Sequence, residues 1–556
     1  MRKILLSVLV VGIIAVATFF VSNHLKNGDV ANKTVEVTKK SNKQPKAKRI
    51  KEALEWRYEK LVNPEKGYFD PQDLYAAHRR ADYLKNVHAK SGALNLQWNL
   101  IGPDNQGGRT RALMFDANVP NKLWAGSVGG GLFVSENGGN SWDRVVSYNG
   151  NFPIASIAQG SDGAIYVGTG EGLGNPLSGG NSSFNSQSPG NGIFKSSDGG
   201  ATWQHLTATN DANDNQVISG GCTWCGVNAI AVSPINSQVV LAGSENGLHI
   251  SSDGGATFTA ASSPLSGGQI QAIQITSDGQ IAFAVRNGAL YRSVSVVDNF
   301  QSGWTIASGV GTGSRADVAI APSNENYVYA VISKLYGNGH CMEGVYRSTD
   351  GGDNWTKIVQ SGAPSYKSDP FNQPTEAYGT CSGQGWYDMT IAVNPADENK
   401  IYIGGITFYT WGEGIGFRRA DKIDTEGGTP FDSDYIHADK HKIIFNPQDP
   451  TGNTMLVGSD GGVTLCNNAL AGFPENLNFI QKNKGYATLQ VYGMGAGAYG
   501  EVLSGNQDNG SQYIDGLGSS VQAASEISGG DGVYAEISNL IRTLCLVYIM
   551  VASIVQ

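Results

Sequence analysis

The sequence has few charged residues and little of what long helices need. Charged side chains make up 16% of the 556 residues, against about 25% in an average globular protein. A coiled coil or long helical bundle is therefore excluded, because those folds are rich in Ala, Glu, Lys and Leu. The net charge of −9 provides no basic excess, so we expect no nucleic-acid partner.

Several catalytic signatures are also missing. The sequence contains no G-x-S-x-G elbow, no P-loop, no H-E-x-x-H motif and no G-x-G-x-x-G set between a strand and a helix as a dinucleotide fingerprint requires, so nucleotide chemistry and serine hydrolysis have no support. The C-x-x-C formed by Cys222 and Cys225 lacks the second pair that a zinc ribbon needs. We interpret it as a local disulfide, with free thiols or metal and redox chemistry as alternatives. Cys341 and Cys381 lie in two long loops and could also pair.

The chain begins with an export-type segment. Arg2 and Lys3 precede an apolar run over residues 4–21, which is long for a cleaved signal peptide and just long enough to span a bilayer. Residues 1–23 are therefore interpreted as a signal peptide or a single N-terminal membrane anchor. Either interpretation places the rest of the chain outside the cytoplasm, as an extracellular, periplasmic or cell-surface protein.

The remaining chain divides by composition. Residues 24–51 form a Lys-rich segment that we predict to be a disordered linker. Residues 52–92 have helical spacing, and residues 93–540 have the texture of strands. Residues 541–556 form an atypical apolar tail, as a truncated or frameshifted gene would also produce.

Glycine is abundant, at 74 of 556 residues, and one glycine-containing octapeptide recurs. The copy at residues 196–203 reads SSDGGATW, and related copies occupy residues 135–142, 251–258 and 348–355. Their acidic or amide positions are Asn137, Asp198, Asp253 and Asp350. An Asp side chain followed by two glycines is a turn signal, so we assign these residues a structural role. An apolar strand opens each repeat, and repeats near 50 residues long predict four-stranded β-blades.

These octapeptides resemble Asp-box (BNR) repeats. The wider pattern, which includes GGRTR at 107–111, QGWYD at 384–388, HADKH at 437–441, DGG at 460–462 and QDNG at 507–510, is similar to exported bacterial propellers described as sortilin-like or glycosidase-like, of the xyloglucanase type. The resemblance implies an all-β propeller with Asp-box turns. The repeats predict about seven to eight four-stranded blades, and the helical spacing predicts a short N-terminal helical segment before them.

Polar residues near the starts of the inner strands are the candidate site, because they converge on one mouth of a propeller channel. Asp388 and Asp439 are a candidate catalytic pair, since glycoside hydrolysis needs two carboxyl groups. His437, Asp439 and His441 alternate along one predicted strand and could hold a divalent metal. A hydrogen-bonded structural network and acid–base catalysis are the alternatives for that triad. The ligand-binding candidates are Arg109, Arg111, Trp386, Tyr387, His437, Asp460 and Asp508.

Three functions remain open at this point. The first is a surface-associated propeller that binds a glycan or protein partner through its channel mouth and loops. The second is a glycoside hydrolase that acts on polysaccharide through paired carboxylates at that mouth. The third is a structural subunit of a surface or secretion machine. We also expect residues 96–101 to close the ring by pairing with strands near the C-terminus, so that no open sheet edge remains.

Overall fold

The structure is a computed structural model. It describes residues 62–67, part of 73–84, and 100–150, 152–173, 188–210, 223–337, 339–360, 368–374, 380–423, 426–430, 432–516, 521–537 and 545–550. The predicted signal or anchor, the Lys-rich linker and most of the predicted helical segment lie outside these residues; those described between 73 and 84 have helical backbone. In this described part of the chain, no helix is long and apolar enough to cross a membrane.

The prediction of an all-β propeller fold is confirmed. The described residues form eight antiparallel sheets of four strands, each connected in sequence order, and one further two-stranded sheet. Glycine-rich turns join the strands, as expected for short β-units. Short 3₁₀ turns occur at Thr207–Thr209 and Val296–Asp298.

The strands follow one another as consecutive four-stranded units. Blades 1 and 2 are β1 (Thr110–Phe115), β2 (Leu123–Ser127), β3 (Gly131–Ser135), β4 (Asp143–Arg144), and β5 (Ile154–Gln159), β6 (Ile165–Thr169), β7 (Ile193–Ser196), β8 (Gln204–His205). Blades 3 and 4 are β9 (Val227–Val232), β10 (Val240–Ser244), β11 (Gly247–Ser251), β12 (Thr259–Ala260), and β13 (Ile270–Ile275), β14 (Ala282–Arg286), β15 (Ala289–Ser293), β16 (Thr305–Ile306). Blades 5 and 6 are β17 (Arg315–Ile320), β18 (Val328–Tyr336), β19 (Gly339–Ser348), β20 (Thr356–Gln360), and β21 (Thr390–Asn394), β22 (Asp397–Gly404), β23 (Phe408–Gly412), β24 (Gly416–Arg419). Blade 7 is β25 (Lys440–Phe445), β26 (Met455–Ser459), β27 (Gly462–Cys466), β28 (Phe479–Gln481).

An eighth sheet and a hairpin follow blade 7. The eighth sheet is β29 (Val491–Ala496), β30 (Val502–Asn506), β31 (Ser511–Ile514), β32 (Ser525–Ser528). The hairpin is β33 (Asp531–Ile537) and β34 (Cys545–Met550). Strand β33 packs on β29 and β30, where Leu503, Ala535 and Ile537 are buried together.

Seven blades close into a ring. The first strand of each blade packs against the first strands of its two neighbours, and β1 completes the circle by packing against β25. Among the described residues, an apolar cluster fills each of the seven interfaces between adjacent blades, and the cluster between blades 7 and 1 contains Leu113, Trp142 and Leu456. The core therefore lies between blades, and it leaves the central channel for polar side chains.

The octapeptide copies form a hydrogen-bonded turn. In the copy at 196–203, the hydroxyl of Ser196 donates to Asp198 (2.8 Å), and Asp198 accepts the backbone N–H of Thr202 (2.9 Å). Gly199 and Gly200 have φ of +69° and +93°, which only glycine adopts readily. Asn137, Asp253 and Asp350 accept the corresponding N–H group in their own copies.

The start of the first strand carries a β-bulge in five blades of the ring. The register skips one residue beside the channel mouth in β1, β5, β9, β13 and β25. A bulged residue has no ladder partner, so its side chain can be aimed independently of the strand alternation. The skipped residues are Arg111, Ala155, Asn228, Gln271 and His441.

The expected closing strand has a different role. Ile101 accepts the backbone N–H of Gln522 (2.8 Å), and Asp104 donates to the Gln522 carbonyl (3.0 Å). This segment therefore pairs with C-terminal residues as expected, but it does so beside the eighth sheet. The ring does not need it, because blade 7 has four strands of its own and packs directly on blade 1. Residues 96–99 lie outside the described part of the chain.

Candidate functional site

Arg109 is the centre of a buried ionic network at the channel mouth. Its guanidinium contacts Asp460 (3.0 Å), Glu171 (3.2 Å) and Asp508 (2.9 Å). Its side chain is 1% exposed, so these contacts are shielded from solvent and from salt. The three carboxylates come from blades 7 and 2 and from the eighth sheet, so this one residue links distant parts of the chain.

Tyr387 connects this network to the neighbouring cations. Its hydroxyl donates to Asp460 (2.6 Å), and the guanidiniums of Arg109 and Arg111 lie over its ring at 5.0 and 4.8 Å. The ring of His441 packs edge-on against it at 4.9 Å. A tyrosine between two arginines combines cation–π attraction with a hydrogen bond, which fixes its position.

The carboxyl groups of the mouth have divergent acidities. Burial would raise the pKa of Asp460, but Arg109 and His441 lower it well below its usual range. Burial and the nearby charge of Asp460 raise the pKa of Asp439 to about 6. Burial, Asp460 and Asp531 raise the pKa of Asp508. Neighbouring carboxyls that cannot all be ionised near neutral pH are typical of acid–base sites.

Part of the mouth reaches the surface. His437, Asp439, Trp386 and Asp508 are half-buried, and the side chain of Asp508 is 26% exposed. We call these four residues the rim. Gln384 hydrogen-bonds to Asp439, and His437 lies 3.1 Å from the carbonyl of Asp508 through its Nε2 atom. The rim thus presents an aromatic side chain and carboxyl groups next to the buried ionic network around Arg109.

The predicted His437–Asp439–His441 alternation is absent. Strand β25 starts at Lys440, and Asp439 has φ of +61°, which breaks the extended backbone before it. His437 faces Asp508, whereas His441 is buried and lies 2.7 Å from Asp460. Within the described ranges, no three His, Cys, Asp or Glu side chains are grouped to hold a metal ion. The geometry thus gives the divalent-metal interpretation no support.

Asp388 does not join the rim. Its side chain has no exposed surface, and neither carboxyl oxygen has a hydrogen-bond partner within the described chain. Burial and the charge of Asp439 raise the pKa of Asp388 well above its usual range. In this arrangement it cannot contact a substrate, although the sequence pattern paired it with Asp439.

Two residues that sequence reasoning did not single out help to hold the site. Glu171 has no exposed surface and bridges Arg109 and Arg111. Arg315 donates to the carbonyls of Tyr387 (2.5 Å) and Met389 (3.0 Å). Arg315 could have been found, because it precedes the apolar alternation of β17 as Arg111 does in β1. Glu171 follows β6 in a glycine-rich loop and carries no such signal.

The loop that carries Trp386 and Tyr387 is clamped to blade 5. A disulfide joins Cys341 of β19 to Cys381, and His340 exchanges backbone hydrogen bonds with Gly383 (2.7 Å) and Gly385 (2.9 Å). Cys225 is also disulfide-bonded, while Cys222 lies outside the described residues. The clamp fixes the loop without using any side chain of the mouth.

Comparison with known proteins finds xyloglucanases among the proteins similar to this chain. No protein-family profile matches the chain. A xyloglucanase from a Paenibacillus species is 24% identical over 273 residues, which are 42% of this chain and 26% of that protein. The chain thus spans about a quarter of that curated relative.

Two solved structures share the fold. The GH74 xyloglucanase from Xanthomonas campestris has a TM-score of 0.55 at 16% identity, over 82% of this chain and 66% of that one. An ancestral GH74 enzyme has a TM-score of 0.52 at 14% identity, over 80% of this chain and 58% of that one. Likeness at such identities establishes architecture alone. The chain is therefore a β-propeller protein whose fold is similar to that of GH74 xyloglucanases.

Proposed function

We propose that this protein is an exported propeller that binds a glycan at the rim. The observation that carries the proposal is the half-buried set of Trp386, Asp439 and Asp508 beside the buried ionic network around Arg109. A sugar ring can pack on an indole face, while its hydroxyls donate to carboxylate oxygens. The similarity to xyloglucanases supports a glycan ligand, and the disulfide between Cys341 and Cys381 supports an oxidising compartment.

Export remains part of this proposal. The apolar run at residues 4–21 is the feature that supports a signal peptide or anchor. A cell fraction that retains the protein after a high-salt wash but releases it with detergent would support the anchor. Release into the medium with a shortened N-terminus would support cleavage.

A panel of xyloglucan, mixed-linkage β-glucan, mannan and starch tests glycan binding. We expect one polysaccharide to retard the purified protein in affinity electrophoresis. Trp386→Ala should weaken that binding up to about tenfold, because it removes the stacking face. Asp143→Asn, an exposed substitution on β4, is the control. Absence of binding to every polysaccharide, or equal binding by Trp386→Ala, would contradict the proposal.

Glycoside hydrolysis is the second candidate, and the raised pKa values of Asp439 and Asp508 favour it. An acid with a pKa of about 6 can protonate a leaving oxygen near neutral pH, and a second carboxyl group nearby can assist the attack on the sugar. Because Asp439 would act in its protonated form, turnover should fall as pH rises through about 6.

Reducing-end release from the bound polysaccharide tests hydrolysis. Asp439→Asn should lower turnover at least ~100-fold and weaken binding far less, because the amide oxygen of Asn still accepts hydrogen bonds from sugar hydroxyls. Binding without turnover by the wild-type protein would retain the first proposal and reject the second.

A further inference from the structure

A cavity lies in the central channel beyond the buried network. Its volume is about 180 Å³, and its walls come mainly from the first strands of six blades and from Met389, just before the first strand of blade 6. The five bulged residues, Arg111, Ala155, Asn228, Gln271 and His441, are all part of the lining. The same backbone irregularity therefore points five separate side chains at one space.

Three buried polar atoms that belong to residues lining this cavity have no hydrogen-bond partner within the described chain. They are Nε of Arg315, Nδ1 of His441 and Oδ1 of Asn228, on residues that are 5%, 5% and 8% exposed. Leaving a buried polar group unsatisfied costs about 1–3 kcal/mol. Three such atoms around one cavity indicate that something polar occupies it.

The unsatisfied atoms include both donors and acceptors. Burial and Arg111 lower the pKa of His441 to about 4, so its ring is neutral at neutral pH. Its Nε2–H donates to Asp460 (2.7 Å), which leaves Nδ1 as an acceptor. Oδ1 of Asn228 is a second acceptor, and the Nε–H of Arg315 is a donor. Hydroxyl groups on an occupant could donate to both acceptors.

The ionised groups of the lining have an excess of positive charge. Arg111 is compensated by Glu171 at 2.9 Å. Arg315 and Lys442 have no ion-pair partner within 4 Å among the described residues, and Asp317 is the carboxylate that also lines the cavity. Among the lining side chains, two cations against one anion leave one positive charge, in contrast to the carboxylate-rich mouth; Asp388, which does not line the cavity, also acts on Arg315. An anionic occupant would balance it.

We propose that this cavity is a second ligand site, separate from the rim, for a small hydroxylated carboxylate the size of a single sugar acid. The carboxylate would lie against Arg315 and Lys442, and hydroxyls would donate to His441 and Asn228. A cavity of similar volume, about 150 Å³, accepts a six-membered ring in a well-studied engineered protein. This inference does not depend on the glycan proposal, because the rim residues do not line the cavity.

Isothermal titration of the purified protein with D-glucuronate, D-glucose and acetate tests the site. We expect glucuronate to bind at least ~10-fold more tightly than either of the other two, because only glucuronate has both the charge and the hydroxyls. Lys442→Met should weaken glucuronate binding, whereas Asp317→Asn should strengthen it by removing the opposing charge. Changes of opposite sign cannot both arise from misfolding, and Lys334→Met, at an exposed position, is the matched control.

Three results would contradict the proposal that this cavity is a ligand site. One is a wild-type protein that binds no glucuronate, with only water in the cavity. Another is equal affinity for glucose and glucuronate. The third is a loss of affinity in both Lys442→Met and Asp317→Asn. Loss of polysaccharide binding at the rim with glucuronate binding intact would reject the glycan proposal alone.

Discussion

Arg109 is the residue on which most of the mouth depends. Removing its charge leaves Glu171, Asp460 and Asp508 without the cation that they share. We expect Arg109→Met to lower the free energy of unfolding by about 3–5 kcal/mol, as is usual when one partner of a buried ion pair is lost. Guanidinium unfolding measures this change. Arg418→Met, at an exposed arginine (49% of the side chain), should change it by less than about 0.5 kcal/mol; equal effects would contradict the argument.

The turn carboxylates make the ring sensitive to acid. Hydrogen bonds within the turn, first from Thr202, Thr257 and Asn354, lower the pKa of Asp198, Asp253 and Asp350 to about 2, from the usual 3.8. A carboxyl group whose pKa is lower in the folded state stabilises that state above the unfolded pKa. The contribution is lost as pH falls through the folded pKa. Thermal stability should therefore fall between about pH 4 and pH 2.

Thermal melting of Asp253→Asn at pH 6, 4 and 2 checks this effect. The variant should melt below the wild type at pH 6 and lose less stability between pH 4 and pH 2. Identical pH dependence in both proteins would show that other carboxyl groups dominate. Asp143→Asn again serves as the exposed control.

The sequence predicted which residues lie at the channel mouth better than it predicted their backbone conformation. Arg109, Tyr387, Asp460 and Asp508 were each marked in the sequence by short polar motifs, and the structure brings them together. The left-handed backbone of Asp439 could not be foreseen, because non-glycine residues seldom adopt it. That single dihedral angle ends the alternation from which the metal triad was inferred.

At the scale of elements, the disulfide determines where the site loop lies. Cys341 and Cys381 are separated by 40 residues, and a loop of that length corresponds to about 2–4 kcal/mol of stabilisation. We expect the Cys341→Ser and Cys381→Ser double variant to lose about that much in urea unfolding and to bind polysaccharide more weakly. Cys466→Ser is the matched control, because Cys466 is a buried free thiol. An unchanged unfolding midpoint in the double variant would contradict this role.

The strands themselves were predictable because their signals are local. Apolar alternation, glycine pairs and octapeptide turns all act within about ten residues, so the seven four-stranded repeats can be counted along the sequence alone. The bulges were not predicted, although a signal exists. Arg111, Asn228 and Gln271 each precede an alanine at the start of an apolar strand, although Arg315 does the same in β17, where the register is regular.

At the scale of the molecule, the ring is held by more apolar packing than the eighth sheet. The ring has an apolar cluster at every interface between its blades, including the closing one. The eighth sheet packs on β33, and Val491 and Met494 of its first strand are 51% and 66% exposed. We expect amides of β29–β33 to exchange with deuterium before those of the inner strands of the ring, as mass spectrometry of peptides would show. Equal protection would mean that both parts unfold together.

Ring closure could not be derived from the sequence. Pairing between distant segments leaves no local mark in the sequence, so the direct packing of blade 7 on blade 1 was not foreseen, although Ile101 pairs with C-terminal Gln522 as expected. The contact of blade 7 with blade 1 is determined by side chains that are more than 300 positions apart, such as Leu113 and Leu456.

The bulges affect which residues of such a protein can be substituted during evolution. Because a bulged residue belongs to no ladder pair, replacing it alters neither the register nor the core between blades. Arg111, Asn228, Gln271 and His441 thus occupy equivalent positions around one axis, where a substitution changes the channel lining and the side-chain contacts of that residue but not the strand pairing. Proteins that share this ring could evolve to bind a different ligand in the cavity by point mutations, in one blade at a time.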